Sequence, residues 1–297
     1  MKSTLAIVAA VSGAAFAAAD WGPAARLPDA VNSPYYDWGV CATADGNTIY
    51  FSSNRQNPSS FANDIYYSRR VGSSWTPAQK VPGPVNSPDD DSVPCLTWDD
   101  RRMYFTRGKQ GTPEGDIWAS DWTGTGWGNP YKIPGHVNRP DKWEWNPAIS
   151  PDGLTLYFNG IEWPGNLAVY NIWMSRWTGS EWGTPSFLTT INTAAGEGDP
   201  APTYDGKYLY FWSRRAGPPR IHRAEYVGGK WQKVEELGAN VNAPGYRQTD
   251  PFVTKDGRYL FFARSPYTPD AYDIYVSRWC EPAVEASSLG RIKALFR

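Results

Sequence analysis

Residues 150–158 read SPDGLTLYF and residues 171–177 read NIWMSRW. An Asp-Gly pair between apolar residues is a strong signal for a tight β-hairpin. The aromatic pair Tyr157-Phe158 follows the turn, and aromatic residues favour strands. This stretch therefore predicts two antiparallel strands joined by a turn, with a third strand in NIWMSRW.

The same unit recurs five times along the 297-residue chain. Its turn aspartates are spaced by 54, 53, 53 and 51 residues, at Asp45, Asp99, Asp152, Asp205 and Asp256. An Asn after a β-branched residue precedes each turn, at Asn32, Asn86, Asn138, Asn192 and Asn242. Four repeats end on a strand with a tryptophan, at Trp75, Trp127, Trp182 and Trp231. Such a period indicates units that bury their faces against their neighbours.

The two ends of the repeat array complement each other. The fifth repeat stops at Trp279 without a tryptophan strand of its own, whereas residues 21–32, WGPAARLPDAVN, match residues 75–86, WTPAQKVPGPVN. In a closed ring, residues 21–32 can supply the strand that the fifth repeat lacks. An open solenoid leaves this extra N-terminal segment unexplained. We predict an all-β, five-bladed β-propeller over residues 20–280 with four-stranded antiparallel blades, in which the N-terminal strand completes the last blade.

The repeat also resembles a known family. DGNTIYFSSNR (45–55) with NDIYYSRR (63–70), and SPDGLTLYF with NIWMSRW, are similar to the WD-like β-propeller repeat of TolB-type exported proteins. The resemblance covers residues 21–279 and implies the propeller fold. It does not select a function, because propellers serve binding, scaffolding and catalysis alike. The fourth repeat departs most, since RIHRAEY lacks the Asp-Ile pair.

The composition argues against several classes of function. With 29 basic and 30 acidic residues, the chain lacks the basic excess of a nucleic-acid-binding protein. Two histidines leave little room for His-ligated zinc or a Ser-His-Asp triad. The sixteen tryptophans, in contrast, are an abundance that needs an explanation, either in the core or in a binding site.

The ends of the chain indicate export. Residues 1–19 combine Lys2, an apolar run and a small-residue cleavage site, which is typical of a signal peptide. We expect a periplasmic or secreted monomer without a membrane span. Cys41 and Cys95 occupy matching repeat positions and are expected in the core, with a bridge between them left open. Residues 281–297 leave the repeat and form a basic, apolar tail that either docks or frays.

Repetition separates architecture from function. A residue found in every blade is expected to be structural, so the repeated Asn residues should cap turns and the repeated tryptophans should fill the core. Two rows vary between blades. The first row, eight residues before each turn aspartate, is Asp37, Asp91, Glu144, Glu197 and Gln248. The second row, six residues before it, is Gly39, Val93, Asn146, Asp199 and Asp250. Strand period two predicts that both rows share a face at one mouth of the channel.

Loops that should open on the same mouth add Arg55, Arg107, Arg214, Arg215 and Arg264, with Glu162 and Trp163 in the longest loop. We predict a ligand site there, composed of Asp37, Trp38, Arg55, Asp91, Arg107, Trp143, Glu144, Trp145, Glu197, Asp199, Arg214, Asp250 and Arg264. Tyr246 is a further aromatic nearby. The alternative for any one arginine is an ion pair with an inner-strand acid. No cofactor is expected, and Ca²⁺ at the mouth is a weaker alternative, since no compact calcium loop is present.

Three functions compete. The first is a binding module whose rim takes a carbohydrate, peptide or protein of the cell envelope or exterior. The second is a glycoside hydrolase of the five-bladed arabinanase-like type, with Asp37, Asp91 and Glu144 as its carboxylates. The third is a lyase for acidic polysaccharide, which would need a base such as His136 or His222; both histidines have structural explanations.

Overall fold

The Asp-Gly hairpins and the strands around them build five antiparallel sheets. The computed structural model describes residues 20–58, 62–108, 115–140, 142–162, 170–267 and 271–281, without the side chain of Glu162. The predicted signal peptide and residues 282–297 lie outside these ranges. Residues 21–279 form one compact unit. Within the described ranges there is no helix of the length and apolarity needed to cross a membrane.

Five blades follow each other along the chain. Before the first blade lie β1 (Asp20–Trp21) and β2 (Ala25–Arg26). Blade 1 contains β3 (Asp37–Ala42), β4 (Thr48–Ser53), β5 (Asp64–Val71), β6 (Ser74–Trp75) and β7 (Gln79–Lys80). Blade 2 contains β8 (Asp90–Leu96), β9 (Arg102–Gly108), β10 (Gly115–Asp121) and β11 (Tyr131–Lys132). Blade 3 contains β12 (Lys142–Ile149), β13 (Thr155–Glu162), β14 (Asn171–Arg176) and β15 (Ser186–Phe187). Blade 4 contains β16 (Glu197–Pro202), β17 (Tyr208–Ser213), β18 (Arg220–Val227) and β19 (Lys230–Glu236). Blade 5 contains β20 (Tyr246–Val253), β21 (Tyr259–Pro266) and β22 (Asp273–Cys280).

The N-terminal segment supplies the outer strand of blade 5. β2 pairs antiparallel with β22, with Ala25 opposite Val276 and Arg26 opposite Tyr275. In each of the other blades the strands pair in chain order from the inner to the outer edge, except that β7 of blade 1 pairs with β5. The molecule is thus an all-β, five-bladed propeller with the predicted strand order.

The core lies between blades. Five buried clusters each combine residues of two adjacent blades, and one of them joins Phe261 and Ile274 of blade 5 to Val40 and Phe51 of blade 1. The second aromatic of each repeat is fully buried, at Phe51, Phe105, Phe158, Phe211 and Phe262. Burial of one such side chain contributes about 1.5–3 kcal/mol to folding. The repeated tryptophan-strand residues are packing elements too, since Trp21, Trp127, Trp182 and Trp231 are at most 8% exposed.

The repeated Asn residues bond to the preceding blade in the ring. Their role is therefore wider than the local turn capping that the sequence predicted. Asn86 Oδ1 accepts the backbone N–H of Ile65 at 2.6 Å, and Asn86 Nδ2 donates to the Ile65 carbonyl at 3.0 Å. The other four make the same pair of bonds to Ile117, Ile172, Ile221 and Ile274 of the preceding blade in the ring. A position present in all five blades therefore has one structural role.

Candidate functional site

First-row carboxylates lie inside the blades, in ion pairs. Their four side chains, Asp37, Asp91, Glu144 and Glu197, are fully buried. The nitrogen-to-oxygen distances are 2.5 Å for Arg55–Asp37, 2.6 Å for Arg107–Asp91, 3.0 Å for Arg139–Glu144 and 3.3 Å for Arg215–Glu197. In this row, the arginines therefore form ion pairs with the inner-strand acids, as the alternative interpretation of the sequence predicted.

The same arginines also hold the backbone. Arg55 donates to the Val31 carbonyl at 2.6 Å, and its guanidinium lies 4.7 Å from the ring centre of Tyr66. Equivalent bonds run from Arg107, Arg215 and Arg264 to the carbonyls of Val85, Ile191 and Val241. Arg55, Arg107 and Arg215 thus link an inner-strand carboxylate, the preceding turn and the aromatic core of their own blades, whereas Arg264 lacks the carboxylate.

The three carboxylates of the glycosidase alternative belong to this buried row. Each of Asp37, Asp91 and Glu144 faces an arginine. Burial raises the pKa of Glu144 to about 7, although Arg139 acts in the opposite direction. Burial likewise raises the pKa of Asp91, against the effect of Arg107. A catalytic role for these three residues stays a prediction, and their contacts are those of structural ion pairs.

Blade 5 breaks the pattern. Gln248 replaces the acid and is fully buried, so Arg264 has no first-row carboxylate beside it. Within the described part of the chain, Arg264 Nε and Gln248 Oε1 are buried without a hydrogen-bond partner. Burial lowers the pKa of Arg264.

The second row points to the propeller axis because of a β-bulge. In every blade the pairing of inner and second strand shifts around this row. All five second-row residues have positive φ, between 50° and 59°. A bulge re-aims the side chain that it carries, so the predicted shared face of the two rows is wrong. The first row lies within the blades, and the second row lines the channel.

Three second-row residues form a hydrogen-bonded floor, defined here as Asn146, Asp199 and Asp250. Asn146 Nδ2 donates to Asp199 Oδ1 at 2.6 Å and to Asp250 Oδ1 at 3.2 Å. Asp199 Oδ1 also accepts from Asn159 Nδ2 at 2.8 Å, and Asp199 Oδ2 accepts the Asp250 backbone N–H at 3.0 Å. The Thr249 hydroxyl donates to Asp250 Oδ2 at 2.8 Å.

The floor combines two carboxyl groups in a buried position. Asp199 is 9% exposed and Asp250 is 6% exposed. Burial raises the pKa of Asp199 to about 6. Burial, and after it the neighbouring Asp199 carboxylate, raises the pKa of Asp250 well above its usual value. Two like charges this close disfavour double ionisation, so the pair holds a proton at pH values where ordinary aspartates have none.

Above the floor opens a cavity of about 410 Å³, which we call the channel-mouth cavity. Its walls carry six aromatic side chains: Tyr36, Trp38, Trp145, Tyr170, Trp212 and Tyr272. Its polar lining beyond the floor consists of Asp90, Arg214, Arg247 and Thr249 with the amides Asn54, Asn63 and Asn159. Apolar walls with a few converging polar groups are typical of a small-molecule site.

Of the predicted ligand residues, Trp38, Trp145, Asp199, Arg214 and Asp250 meet in this cavity. Trp143 does not line it but stacks on Trp145, with parallel rings whose centres are 5.3 Å apart. The cavity lining does not include Asp37, Arg55, Asp91, Arg107, Glu144, Glu197, Arg264 or Tyr246. Trp163 and the Glu162 side chain lie outside the described part. A ligand role for the residues away from the cavity stays a prediction.

Other cavity residues were missed by the sequence reasoning. Trp212 and Asn159 occupy the same varying position of the second strand, directly after the aromatic pair. Blades 1 and 2 have Ser52 and Thr106 there, whose hydroxyls accept the second-row backbone N–H of the next blade at 2.7 and 3.2 Å. The variation of this position between blades is the sequence signal that points to both residues.

Two glycines make room for the cavity tryptophans. A Cβ at Gly198 would lie 2.7 Å from the ring of Trp212, and a Cβ at Gly115 would lie 2.3 Å from Trp145 Nε1. Real Cβ atoms do not approach so closely. The two indoles therefore depend on glycine at these positions.

The far end of the channel is occupied by Trp98. Its ring stacks on Phe252, with centres 6.0 Å apart, and lies 5.3 Å from Tyr204. Its indole N–H donates to the Ile149 carbonyl at 3.3 Å, and Lys255 Nζ donates to the Trp98 carbonyl at 3.0 Å. Trp98 thus contacts blades 3, 4 and 5 from blade 2, below an apolar chamber of about 50 Å³ under the floor.

Thiols and histidines lie away from the cavity. Cys41 is buried, Cys95 is half-buried, and neither is bridged. His222 stacks on Phe211, with ring centres 5.9 Å apart, and the His136 side chain is 63% exposed; neither lines the cavity. Among described residues, no three His, Cys, Asp or Glu side chains cluster as metal ligands would. The Ca²⁺ alternative stays a prediction.

Comparison with known proteins supports the fold. No family model matches the chain, and no curated protein matches it in sequence. A TolB-type protein from Agrobacterium tumefaciens is 18% identical, with a TM-score of 0.52 over 80% of this chain and 72% of that chain. A thermostable family-43 glycoside hydrolase is 12% identical, with a TM-score of 0.57 over 85% of this chain and 92% of that chain. TolB from Acinetobacter baumannii is also 18% identical, with a TM-score of 0.48, and this chain spans 55% of it. The resemblance to TolB-type propellers is confirmed at the level of the fold.

Proposed function

We propose that this protein is an exported propeller that binds carbohydrate in the channel-mouth cavity. The observation that carries the proposal is the wall of six aromatic side chains around a polar floor. A sugar ring has apolar C–H faces and a rim of hydroxyl groups. Aromatic faces pack against the first, and carboxylates, amides and guanidinium groups bond the second.

The position of the indoles supports stacking. Trp38 and Trp145 are half-buried, so one part of each ring is held by the protein and another faces the cavity. Trp38 Nε1 donates to Asn63 Oδ1 at 3.1 Å, and Asn63 donates to Asp90 from its backbone and side chain at 2.7 and 2.8 Å. These bonds fix the ring before a ligand arrives, which lowers the entropic cost of binding.

We propose binding and not hydrolysis because of the surroundings of the candidate catalytic carboxylates. The three residues of the glycosidase alternative are each neutralised by an arginine inside a blade. The similarity to a family-43 glycoside hydrolase is one of fold, and a fold does not assign a reaction. We therefore expect oligosaccharides to bind without the release of new reducing ends.

The test is calorimetric titration of the protein with cellobiose, chitobiose and N,N′-diacetylchitobiose. Trp145→Ala should weaken binding of the best saccharide by about tenfold or more, because it removes a stacking surface. Trp122→Ala is the matched control, since Trp122 is 44% exposed on blade 2 and does not line the cavity. Equal affinity of Trp145→Ala and the parent protein for every saccharide that binds, or no binding at all, would overturn the proposal.

Export and the monomeric state are part of the proposal. Cleavage after residue 19 predicts a mature chain that begins at Asp20, which mass spectrometry of the exported protein checks. Light scattering of that material should give the mass of one chain. An uncleaved N-terminus or a stable dimer would contradict the respective statement.

A further inference from the structure

The floor of the cavity has an excess of hydrogen-bond acceptors. Asn146 is 5% exposed, and its Oδ1 atom has no hydrogen-bond partner among the described residues. The orientation of this amide is fixed, because Nδ2 donates to both Asp199 and Asp250. The unpartnered oxygen thus belongs to the group that joins the two carboxylates. A buried acceptor left without a donor is unfavourable, so a ligand that donates a hydrogen bond there gains affinity.

The charges around the floor favour a cation. Asp199 and Asp250 are adjacent and buried, and no ion pair joins either to a basic side chain among those described. Asp250 and Tyr170 interact electrostatically with Asp199, and Arg214 interacts with Tyr170. Asp90 and Arg247 complete the ionisable lining of the cavity. A proton balances the pair in the free protein, and a cationic ligand can replace it.

The walls favour the same chemistry. Trp145, Tyr170 and Trp212 line the cavity together with the floor, and the faces of aromatic rings attract cations. Arg214 does not fill this role itself. It is exposed, and its guanidinium lies over the outer part of the wall, 5.5 Å from the ring centre of Trp212.

We propose that the channel-mouth cavity selects saccharides that carry a free amino group, and that the ammonium binds at the floor. An ammonium has three N–H donors. The floor offers acceptors for them at Asn146 Oδ1, which has no partner among the described residues, and at the Asp250 carboxylate, and the charge of Asp199 lies beside both. A hydroxyl supplies one donor without charge, and an acetylated amine supplies one donor with added bulk. This inference rests on the proposed carbohydrate function and names its substrate class.

Three matched disaccharides test the inference by titration calorimetry in mildly acidic buffer. Chitobiose carries two free amines, cellobiose has hydroxyls in their place, and N,N′-diacetylchitobiose has amides. Chitobiose should bind at least about tenfold more tightly than cellobiose, and the acetylated sugar should bind more weakly than chitobiose. Equal affinities for chitobiose and cellobiose would overturn the inference and leave the proposed function intact.

Variants connect the preference to the floor. Asp250→Asn should reduce the ratio of chitobiose affinity to cellobiose affinity to about twofold or less, since the amine loses a charged partner and the hydroxyl of cellobiose does not. Asp205→Asn, in a turn at the other end of blade 4, is the matched control and should keep the preference. An Asp250→Asn protein that folds normally and still prefers chitobiose would overturn the inference.

A proton count gives a readout that needs no variant. Binding of chitobiose should release protons, because the ammonium displaces the proton that the carboxyl pair holds, and cellobiose should release none. Titrations in two buffers of different ionisation enthalpy measure the number. Chitobiose that binds without proton release would contradict the assignment of its amine to the floor. Absence of binding by all three sugars would instead contradict the proposed function. Tight binding of choline, which carries no N–H donor, by a protein that does not bind cellobiose would contradict both the ammonium site and the carbohydrate function.

Discussion

Arg214 and Arg215 are neighbours in the chain and belong to two different regions of the molecule. Arg215 is half-buried and bonds Glu197, Ser213 and the Ile191 carbonyl inside blade 4. Arg214 is exposed and lines the channel-mouth cavity over Trp212. The first belongs to a set that recurs from blade to blade, and the second to a set that does not. Recurrence thus distinguishes a structural arginine from a candidate ligand residue one position away.

The inner strands show the same division. First-row carboxylates are matched by arginines blade by blade, whereas the second row carries two carboxyl groups without such partners. The difference comes from the bulge, which separates side chains that a regular strand would place together. Four predictions test the division.

The largest effect is expected from Arg215→Met, which leaves the Glu197 carboxylate buried without its cation. Breaking a buried pair costs about 3–5 kcal/mol. We expect about 3 kcal/mol in the free energy of unfolding, because the Thr193 and Ser213 hydroxyls still bond Glu197. Urea denaturation measures the loss. If Arg215→Met lost less than about 1 kcal/mol in the free energy of unfolding and also lost saccharide binding, Arg215 would be a ligand-binding residue and not a structural one.

Restoring the first-row carboxylate in blade 5 should stabilise the protein, whereas Arg215→Met should destabilise it. Gln248→Glu places a carboxylate where the other four blades have one, beside a guanidinium whose Nε has no partner among described residues. We expect a gain of about 1–3 kcal/mol in the free energy of unfolding near neutral pH. The gain should vanish in acid, as the new carboxylate becomes protonated. A variant that is less stable than the parent at neutral pH would show that this position differs from its counterparts.

The floor predicts a pH dependence of stability. The folded-state pKa values of Asp199 and Asp250 are raised, to about 6 for Asp199, so the folded protein holds protons that the unfolded chain has lost. Unfolding free energy should therefore fall as pH rises from about 4 through about 6, by up to about 1.4 kcal/mol per pH unit for each group. Asp250→Asn removes the like charge and should flatten this decline, whereas Asp205→Asn should not. Parallel pH profiles for parent and Asp250→Asn would contradict the prediction.

The smallest effect on stability is expected from Arg214→Met. Its guanidinium is exposed, so we expect a change within about 0.5 kcal/mol in the free energy of unfolding. Saccharide affinity should fall by a few-fold, because a polar contact at the rim is lost. Comparison with Arg215→Met in the same two assays tests both arginines at once. A destabilisation as large as that of Arg215→Met would remove the distinction between them.

The fold could be predicted almost fully, because five turn aspartates, four of them followed by glycine, and five tryptophan segments repeat with a nearly constant period. The candidate site could be predicted in part. Comparing blades identified Trp38, Trp145, Asp199 and Asp250, all of which line the cavity. It could not tell Asp199 from Glu197, because period two holds only in a regular strand. Val93 has a φ of 51°, which a β-branched residue rarely adopts, so nothing local in the sequence indicated a bulge there.

The position of Trp98 has a consequence for the shape of any ligand. Its ring contacts blades 3, 4 and 5 from blade 2, and Asn146, Asp199 and Asp250 line both the chamber beside it and the channel-mouth cavity. Under the proposed carbohydrate function, this arrangement predicts that the end of a glycan chain reaches Asp199 and Asp250 and that a unit in its interior does not. We therefore expect the amount of polysaccharide bound to rise with the number of chain ends in the sample.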